Sequence, residues 1–417
     1  MPHDRQTPAA VGAARAAPPP MTPVERRATV GLAGIFGLRM LGMFIVLPVL
    51  ALYAETLPGG RDHALVGLAL GAYGLTQAVL QIPFGWASDR WGRKPVIVAG
   101  LVIFALGSFI AAWAPTIVWT IIGRTVQGAG AISAAVIALA SDLTRDAVRT
   151  RAMAAIGMTI GATFAVSLVL GPALTAVIGV PGVFVLTGVL ALGAIVLLQR
   201  AVPDPEAAPP RHDTPAQWKR VLADRELLRL NYGIFALHAA LMALFVQVPF
   251  MLRDNGVASA RHWLVYLPVL AASVALMLPA LRQADHPGRG KPVFVGAVAL
   301  LFVGQALLAA AGTSLPLTIA ALVVFFTAFN LLEATLPSLV SKFAPAALKG
   351  TAVGVYSSVQ FLGTFVGAAA GGWLSQWHGP AAVFGFCLVL TALWLAVSAT
   401  MTAPPAYNQR SYSMGET

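Results

Sequence analysis

The sequence predicts an all-α membrane protein with twelve transmembrane helices, arranged as two pseudo-symmetric halves of six. Three observations carry this prediction. The 417-residue chain is 58% hydrophobic and only 10% charged, whereas soluble domains are about half apolar and a quarter charged. Twelve apolar segments are each long enough to cross a bilayer, and the residues between them repeat in the second half of the chain. This composition excludes a soluble enzyme, a disordered chain and a disulfide-rich scaffold.

The apolar segments define the spans in chain order. About 20 apolar residues are needed for a helix to cross ~30 Å of hydrocarbon. In the first half the approximate segments are 28–53, 64–87, 96–114, 116–140, 152–177 and 182–198. In the second half they are 228–252, 263–281, 293–312, 315–340, 351–373 and 381–400. We number them spans 1 to 12.

Polar stretches delimit the two halves. Residues 1–27 are rich in Ala, Pro and Arg and show no signal-peptide pattern, so we expect a disordered tail. Residues 201–227 predict a linker, whose second part either forms an interfacial helix or is a solvated segment. The expected halves are therefore residues 28–200 and 228–401, and residues 402–417 predict a second tail.

The basic residues predict the orientation. If both termini are cytoplasmic, 22 of the 27 Lys and Arg residues lie in cytoplasmic segments. The opposite loops hold only Arg61, Arg253 and Arg261, and two more arginines lie inside spans. This is a strong positive-inside bias. It accounts for the net charge of +11 without a nucleic-acid partner.

The two halves share residues at a nearly constant offset. The Lys-Pro-Val runs that begin at Lys94 and Lys291 are 197 residues apart. Gly171 of span 5 and Gly367 of span 11 are 196 residues apart. Parallel six-span repeats are typical of transporters whose halves meet at a site near the bilayer midplane.

Two motifs relate the chain to a known family. The loop after span 2, which we call the charged loop, has the pattern G-x-x-x-D-R-x-G-R-K at Gly85, Asp89, Arg90, Gly92, Arg93 and Lys94. Span 4 has the pattern R-x-x-Q-G from Arg124 to Gly128. Both resemble motifs of the major facilitator superfamily. Span 11 resembles its antiporter glycine motif, although Ala368 replaces the proline, and span 5 keeps only Gly171-Pro172 of it.

Residues 36–44, 73–78 and 329–339 extend the resemblance to the drug/proton antiporter branch of this superfamily. The resemblance implies the major facilitator fold and export driven by the proton gradient, with no cofactor. One bacterial member carries a small soluble domain after its last span. This chain stops at Thr417, so we expect no regulation through such a domain. The resemblance implies no particular substrate.

The charged loop has two interpretations. Its basic residues anchor the chain at the cytoplasmic membrane surface, in keeping with the positive-inside bias. The resemblance implies in addition a gate latch. In that latch Asp89 meets the positive N-terminus of span 11 near Gly350, and Arg93 pairs with Asp142 at the end of span 4.

Four ionisable residues inside the spans are the candidates for proton coupling: Arg39, Arg124, His238 and Glu333. A charge at the bilayer centre costs about 2.5–3.5 kcal/mol on insertion scales, so such residues face a cavity or a partner. Glu333 either exchanges a proton or is a locked, hydrogen-bonded glutamate. The arginines either tune a neighbouring group or hold an anionic moiety, or they bond backbone carbonyls. His238 either titrates or is structural.

Uncharged polar and aromatic side chains inside the spans are the pocket candidates: Phe44, Gln77, Gln81, Tyr232, Phe245, Gln247, Asn330, Tyr356, Gln360 and Phe361. They would suit a moderately hydrophobic solute, and helix packing is the alternative for each. We expect helix-packing residues at Gly171, Pro172, Gly354, Gly363, Gly367 and Gly371.

These features favour a proton-driven exporter of small, moderately hydrophobic compounds, monomeric in the bacterial inner membrane. The alternative is a carrier for a specific polar metabolite such as a sugar or amino acid. A membrane-embedded enzyme or sensor is the third possibility. The sequence shows no nucleophile elbow, phosphate-binding loop or metal-ligand cluster to support it, and its single cysteine, Cys387, forms no disulfide within the chain. We therefore expect neither an enzyme nor a metal site.

Overall fold

The computed structural model describes residues 20–204, 215–284, 286, 288–345 and 348–402, and among these residues the regular structure is helical without a strand. In the first half, span 1 comprises Pro23–Phe44 and Leu47–Ala54, and span 2 is His63–Trp91. Span 3 is Arg93–Ala112, span 4 comprises Ile117–Ala129 and Ser133–Asp142, and spans 5 and 6 share the helical stretch Asp146–Ala201.

The second half begins after a short linker helix, Pro215–Ala223. Span 7 is Arg225–Asp254, and a 3₁₀ turn at Ser259–Arg261 precedes span 8, Trp263–Ala284. Span 9 is Gly290–Ala311, span 10 is Leu315–Phe343, span 11 is Lys349–His378 and span 12 is Pro380–Ala399.

Spans 5 and 6 are two helices although their helical stretch runs over 56 residues. Such a stretch would be ~84 Å long as one rod, far more than the ~30 Å of hydrocarbon. Gly179 interrupts it with φ 69° and ψ 169°, a conformation that glycine adopts without a Cβ clash. Within the part of the chain that the structure describes, eleven helical stretches are long and apolar enough to cross a membrane. The break at Gly179 makes them twelve spans, as the sequence predicted.

The turns confirm the internal repeat. Gly379 joins spans 11 and 12 with φ 79°, and it follows Gly179 by 200 residues. Two further pairs of positive-φ glycines stand in matching turns at offsets of 197 and 196 residues: Gly59 with Gly256, and Gly92 with Gly288. The same positive-φ turn conformation therefore recurs in both halves, at positions that hydropathy alone does not predict.

Span 1 begins earlier than expected, so the prediction of a disordered tail through residue 27 is wrong for its last residues. Thr22 caps the helix that starts at Pro23 by accepting from the Glu25 backbone N–H, and the Thr22 backbone N–H donates to Glu25 Oε2. This is a capping box. Residues 1–19, most of the expected tail, lie outside the described residues.

The linker and the second tail are described only in part, since residues 205–214 and 403–417 lie outside the described residues. Span 7 starts at Arg225 rather than at residue 228, with Asp224 as its N-cap. In the linker helix Val221 is 1% exposed whereas its neighbour Leu222 is 51% exposed.

Both ends of each half lie at one end of the bundle, which we call the basic end. Arg27 Nη2 donates to the carbonyl of Arg200 at 2.6 Å, joining the start of span 1 to the end of span 6. Thr402 N donates to Glu226 Oε1 at 3.4 Å, joining the end of span 12 to the start of span 7. The loops after spans 1, 3, 7, 9 and 11 lie at the other end, which we call the opposite end.

The buried apolar residues form two clusters, to which the two halves contribute unequally. One cluster of buried residues combines most of the C-terminal half with parts of the N-terminal half near the opposite end, among them residues 45–54, 66–70 and 164–184. A second cluster holds the rest of the N-terminal half and includes only Phe361 from the C-terminal half. Among the buried residues described, the halves therefore share a core toward the opposite end and separate toward the basic end.

Candidate functional site

Spans 2 and 11 meet closely in the half of the bundle nearer the opposite end. A Cβ built on Gly67 would lie 2.3 Å from the Ala368 carbonyl oxygen, and one on Gly74 would lie 2.8 Å from that of Phe361. Contacts this short are possible only because glycine lacks the atom. Gly67, Gly71 and Gly74 thus bring the two halves together backbone to backbone.

Polar contacts across the halves reinforce this closure. The His63 backbone N–H donates to Gln376 Oε1 at 2.8 Å, and the His63 ring lies 2.9 Å from Ser375 Oγ through Nδ1. Arg253 Nη1 of span 7 pairs with Glu55 Oε2 after span 1 at 2.5 Å. The sequence alone did not predict a role for these residues. The one available signal was that Arg253 is among only three basic residues expected at this end.

The contact between spans 2 and 11 does not continue to the basic end. Gly354 lies on the same face of span 11 as Phe361 and Ala368, seven and fourteen residues earlier, yet a Cβ built there meets no atom within 4 Å. The same holds for Gly350, one turn further. The prediction that Gly354 is a helix-packing glycine is therefore wrong. The bundle is joined at its opposite end and leaves open space beside span 11 toward the basic end.

The charged loop is organised within the N-terminal half. Arg93 Nε donates to Asp142 Oδ2 at 3.0 Å, and Arg93 also forms an ion pair with Asp89. Lys94 Nζ donates to the Val202 carbonyl at 2.7 Å and so holds the beginning of the linker. The Arg90 guanidinium lies 5.5 Å from the centre of the Trp86 ring.

The turn itself uses the two glycines of the motif. Gly92 has φ 94° between spans 2 and 3, and a Cβ on Gly85 would lie 3.5 Å from Ala134 of the same half. Among the described residues, no hydrogen bond or ion pair joins Asp89 to span 11. The contact expected between Asp89 and the N-terminus of span 11 is thus not made in this conformation.

The two arginines inside the spans surround one tyrosine. Arg39 donates to the Tyr73 hydroxyl and to Ser133 Oγ, both at 2.9 Å. Arg124 donates from Nη1 to Gln127 Oε1 at 2.6 Å and lies 4.9 Å from the centre of the Tyr73 ring. Both arginines are 1% exposed. The cluster therefore joins spans 1, 2 and 4. Its main hydrogen-bond acceptors are side chains, whereas the structural alternative expected backbone carbonyls.

Two glutamines predicted to line a pocket are packed inside the N-terminal half instead. Gln77 is fully buried, and its Nε2 donates to the Gly128 carbonyl at 2.7 Å. Gln81 is 2% exposed. Neither side chain faces open space in this conformation, because both are buried and Gln77 is bonded to span 4.

The interior acid lies in a polar cluster of the C-terminal half. Glu333 of span 10 has a side chain that is 26% exposed, and its Oε2 lies 3.9 Å from His238 Nε2 of span 7. Gln360 of span 11 donates to His238 Nε2 at 2.8 Å and approaches Glu333 Oε1 at 3.5 Å. Among the described residues, Glu333 Oε2 and the buried Tyr356 hydroxyl have no hydrogen-bond partner. These four side chains form the polar part of the candidate site.

An aromatic cluster lies beside this polar group and bridges the halves. The Phe164 ring of span 5 is 5.2 Å from Phe44, 6.3 Å from Phe245 and 5.8 Å from Phe329, measured between ring centres. The Phe329 ring in turn lies 5.9 Å from His238. Phe361 is 6.4 Å from Tyr73 across the halves. Phe164 is the central ring, and the sequence analysis missed it because nothing in span 5 distinguishes it from a lipid-facing phenylalanine.

The remaining polar pocket candidates are occupied by internal contacts. Asn330 Nδ2 donates to Ser273 Oγ at 3.0 Å, and the Tyr232 hydroxyl donates to the Leu390 carbonyl at 3.0 Å. Gln247 is 4% exposed and accepts from Ser375 Oγ at 3.1 Å. For these three residues the structure favours helix packing over substrate contact.

Comparison with known proteins decides the family. A family model described as Major Facilitator Superfamily matches residues 32–368 and 261–416. The chain belongs to the major facilitator superfamily. It is therefore a multi-pass membrane transporter of small molecules and not an enzyme, in agreement with the fold and family that the sequence predicted.

Relatives within the superfamily are close. The chain is 47% identical over 388 residues to the inner membrane transport protein YajR of Escherichia coli, covering 92% of this chain and 85% of that one. It is 30% identical over 264 residues to the multidrug resistance protein MdtH of Aeromonas hydrophila, covering 59% and 62%. A bacterial homologue of the lysosomal transporter Spinster, in an inward-facing and occupied conformation, has a TM-score of 0.71 at 15% identity and covers 91% and 95%.

The glycines that resemble the superfamily's antiporter motif have a packing role here. A Cβ on Gly363 would lie 2.4 Å from the Phe235 carbonyl oxygen, and one on Gly367 would lie 2.1 Å from that of Ala239. Gly371 continues this face of span 11 along span 7. In span 5, a Cβ on Gly171 would lie 2.5 Å from the Ile45 carbonyl oxygen, where span 1 is interrupted, and Pro172 beside it is buried. Span 11 thus packs on span 7 with one face and on span 2 with the other.

Proposed function

We propose that the protein exports small, moderately hydrophobic compounds in exchange for protons. The observation that carries this proposal is the placement of Glu333, the one acid clearly inside a span, in a partly exposed position beside His238 and Gln360. A carboxyl group at such a depth is costly unless it has a use or a partner. Glu333 has no cationic Lys or Arg partner among the described residues, which fits a group that alternates between its protonated and charged forms.

The two ends of the bundle support an alternating-access cycle. Spans 2 and 11 close the opposite end, and toward the basic end the space beside span 11 is open at Gly354 and Gly350. The positive-inside rule assigns the basic end to the cytoplasm, with both termini on that side. The relative YajR is named an inner membrane transport protein, which supports a bacterial inner-membrane location. In this conformation a compound would enter from the cytoplasm, and we propose that the monomer completes the cycle.

The charged loop would act as the latch that closes the basic end. The part of the latch that lies within the N-terminal half is already formed, since Arg93 makes ion pairs with both Asp89 and Asp142. When spans 2 and 11 approach each other at the basic end, Asp89 would meet the N-terminus of span 11 beside Gly350. Asp89→Asn should then favour the inward-open population, measured as higher accessibility of a cysteine introduced near the basic end. Unchanged accessibility would count against the latch.

The alternative of a polar-metabolite carrier has less support. A sugar or amino acid needs several free donors and acceptors that converge on one site. The amides of Gln77, Gln247 and Asn330 are already engaged in contacts between helices. The aromatic cluster around Phe164 offers an apolar wall instead. The name of the relative MdtH, a multidrug resistance protein, favours the same choice.

Reconstituted protein tests the proposal directly. Proteoliposomes with an imposed pH gradient are supplied with a panel of fluorescent dyes, drugs and metabolites, and flux is followed together with proton movement. We expect gradient-driven flux of apolar compounds, and Glu333→Gln should abolish it while the protein is still expressed and folded. Asp62→Asn, an exposed acid at the opposite end whose replacement can still cap span 2, is the matched control. Coupled transport by Glu333→Gln at the wild-type rate would exclude Glu333 as the proton carrier.

A further inference from the structure

We propose that Gln360 is a positioning residue that couples the protonation of Glu333 to the closure of the opposite end. The inference rests on the proposed function, because it names the residue through which the proton site would act on the conformation. It is carried by the position of Gln360 on span 11, between the polar cluster of the C-terminal half and the contact of span 11 with span 2.

The Gln360 amide has two acceptors within reach. Its Nε2 donates to His238 Nε2 at 2.8 Å and lies 3.5 Å from Glu333 Oε1. The first contact is a full hydrogen bond, whereas the second is longer than the usual range for N–H donors. With the amide oriented this way, His238 accepts through Nε2, so that nitrogen carries no proton and the imidazole is neutral.

The charge of Glu333 sets the balance between these two contacts. Hydrogen bonds to an ionised carboxylate are stronger than those to neutral groups and are about 2.7–2.9 Å long. Loss of the Glu333 proton would therefore draw the Gln360 amide from 3.5 Å to about 2.8 Å, a movement of about 0.7 Å toward span 10. Protonation releases the amide to His238, which is the arrangement seen in this conformation.

Two titratable groups face Glu333 from the neighbouring spans. Span 7 presents His238, and span 11 presents Tyr356, whose side-chain type titrates only near pH 10. Span 5 has no titratable residue between positions 152 and 177. The titratable residues of spans 8 and 9 stand near the ends of these helices, at Tyr266, Arg282 and Lys291.

The residue that follows Gln360 belongs to the contact between the halves. The Phe361 ring lies 6.4 Å from Tyr73, and a Cβ on Gly74 would lie 2.8 Å from the Phe361 carbonyl oxygen. A displacement of span 11 toward span 10 by several tenths of an ångström would forfeit part of these close contacts. A charged Glu333 therefore favours separation of spans 2 and 11, and a protonated Glu333 favours their closure.

The same displacement would reach the second contact at the opposite end. Gly363 and Gly367 pack span 11 on span 7 backbone to backbone, so the two spans are expected to shift together. Span 7 carries Arg253, which pairs with Glu55 of the N-terminal half. The direction suits exchange, because a proton that binds from the opposite end would then close that end behind it.

The test follows closure of the opposite end as a function of pH. Spin labels at Arg61→Cys and Ser259→Cys, exposed on different halves, report the ratio of longer to shorter distances in a Cys387→Ser background. Measurements in nanodiscs run from about pH 5 to about pH 9, where carboxyl groups and imidazoles inside proteins titrate. We expect the ratio to rise about fivefold with pH, at the lower end of typical coupling between sites.

Variants assign this rise to Gln360. Gln360→Met keeps the length of the side chain without the amide and should remove the part of the rise that Glu333→Gln removes. Any remaining part belongs to other groups, such as His63 at the opposite end. The double variant should remove no more than either single one. Gln305→Met is the matched control, since this buried glutamine of span 9 bonds Thr391 instead, and it should keep the rise.

Two results would overturn the inference: a wild-type rise in Gln360→Met that is lost in Glu333→Gln, or a rise that neither variant changes. If Gln360→Met fails to fold, Gln360→Asn decides between the same outcomes, because its shorter side chain keeps the amide away from Glu333.

Transport separates this inference from the proposed function. A pH-dependent closure that needs both Glu333 and Gln360, without gradient-driven flux, would sustain the coupling and contradict proton-coupled export. Gradient-driven flux that is lost in Glu333→Gln, together with an unchanged pH dependence in Gln360→Met, would sustain export and overturn the role of Gln360.

Discussion

Gly67 offers the sharpest test of how the opposite end closes. A Cβ at this position would lie 2.3 Å from the Ala368 carbonyl oxygen and 2.9 Å from Gly372 Cα, and its three nearest atoms all belong to span 11. Within its own half the new methyl group meets nothing closer. Gly67→Ala should therefore disfavour the conformation in which spans 2 and 11 touch, without harming the fold of either half.

The free-energy cost of Gly67→Ala in the closed conformation follows from these distances. Cβ contacts below 3.0 Å are essentially never seen, so the distance must grow from 2.3 Å to at least 3.0 Å and the backbones must part by about 0.7 Å. A gap of that size forfeits about a quarter to a half of each dispersion contact. Overpacking of this kind costs about 1–3 kcal/mol, which is about 5- to 150-fold in the ratio of the two conformations. The higher helix propensity of alanine acts in both conformations and cancels.

Spin-label distances measure this ratio. Labels are attached to cysteines at Arg61 and Ser259, which are exposed at the opposite end on different halves, in a Cys387→Ser background. Gly67→Ala should enlarge the population with the longer distance. Gly296→Ala in span 9 is the matched control, since a Cβ there meets no atom within 4 Å and lies outside the contact between spans 2 and 11. Identical distance distributions for the two variants would refute the steric reasoning.

Three further predictions concern other contacts. Glu55→Gln removes the ion pair with Arg253 across the halves. Because both side chains are partly exposed, we expect a smaller opening, about 1.4- to 5-fold from ~0.2–1 kcal/mol, that disappears at high salt in the same distance measurement. Gly367→Ala forces a Cβ to 2.1 Å from the backbone of span 7 and should lower the Tm of the whole protein. A Tm at or above that of the wild type would contradict this packing. Glu25→Gln weakens the two-point contact with Arg145 and should lower the Tm, because a neutral amide bonds the guanidinium less strongly than a carboxylate does; an unchanged Tm would show that the contact is not stabilising.

The helix-packing glycines illustrate how far spacing alone can be read. Gly363 and Gly367, one turn apart, were expected on one packed face and lie against span 7. Gly67, Gly71 and Gly74 have an equally regular helical spacing, but the sequence analysis did not use it. Spacing shows which glycines share a face of a helix. It does not show whether another helix lies there, which is why the expectation for Gly354 was wrong.

The candidate site shows a similar limit. The sequence identified Glu333, His238 and Gln360 as unusual side chains inside spans, and the structure brings these three together. The sequence identified Gln77 for the same reason, but the Gln77 side chain donates to the backbone carbonyl of Gly128. Whether a polar group in a helix is free depends on donors and acceptors from helices far away in the chain.

The sequence by itself determined the membrane fold, the number of spans, the repeat and the family. These properties rest on local quantities: the length of apolar segments, the positions of charges and short motifs. The tertiary structure alone decided that the opposite end is closed, that Arg39 and Arg124 are buried among side-chain partners, and that Glu333 lies partly exposed beside His238 and Gln360. Each of these depends on contacts between residues separated by many spans, and such contacts form only when helices pack at particular angles and registers.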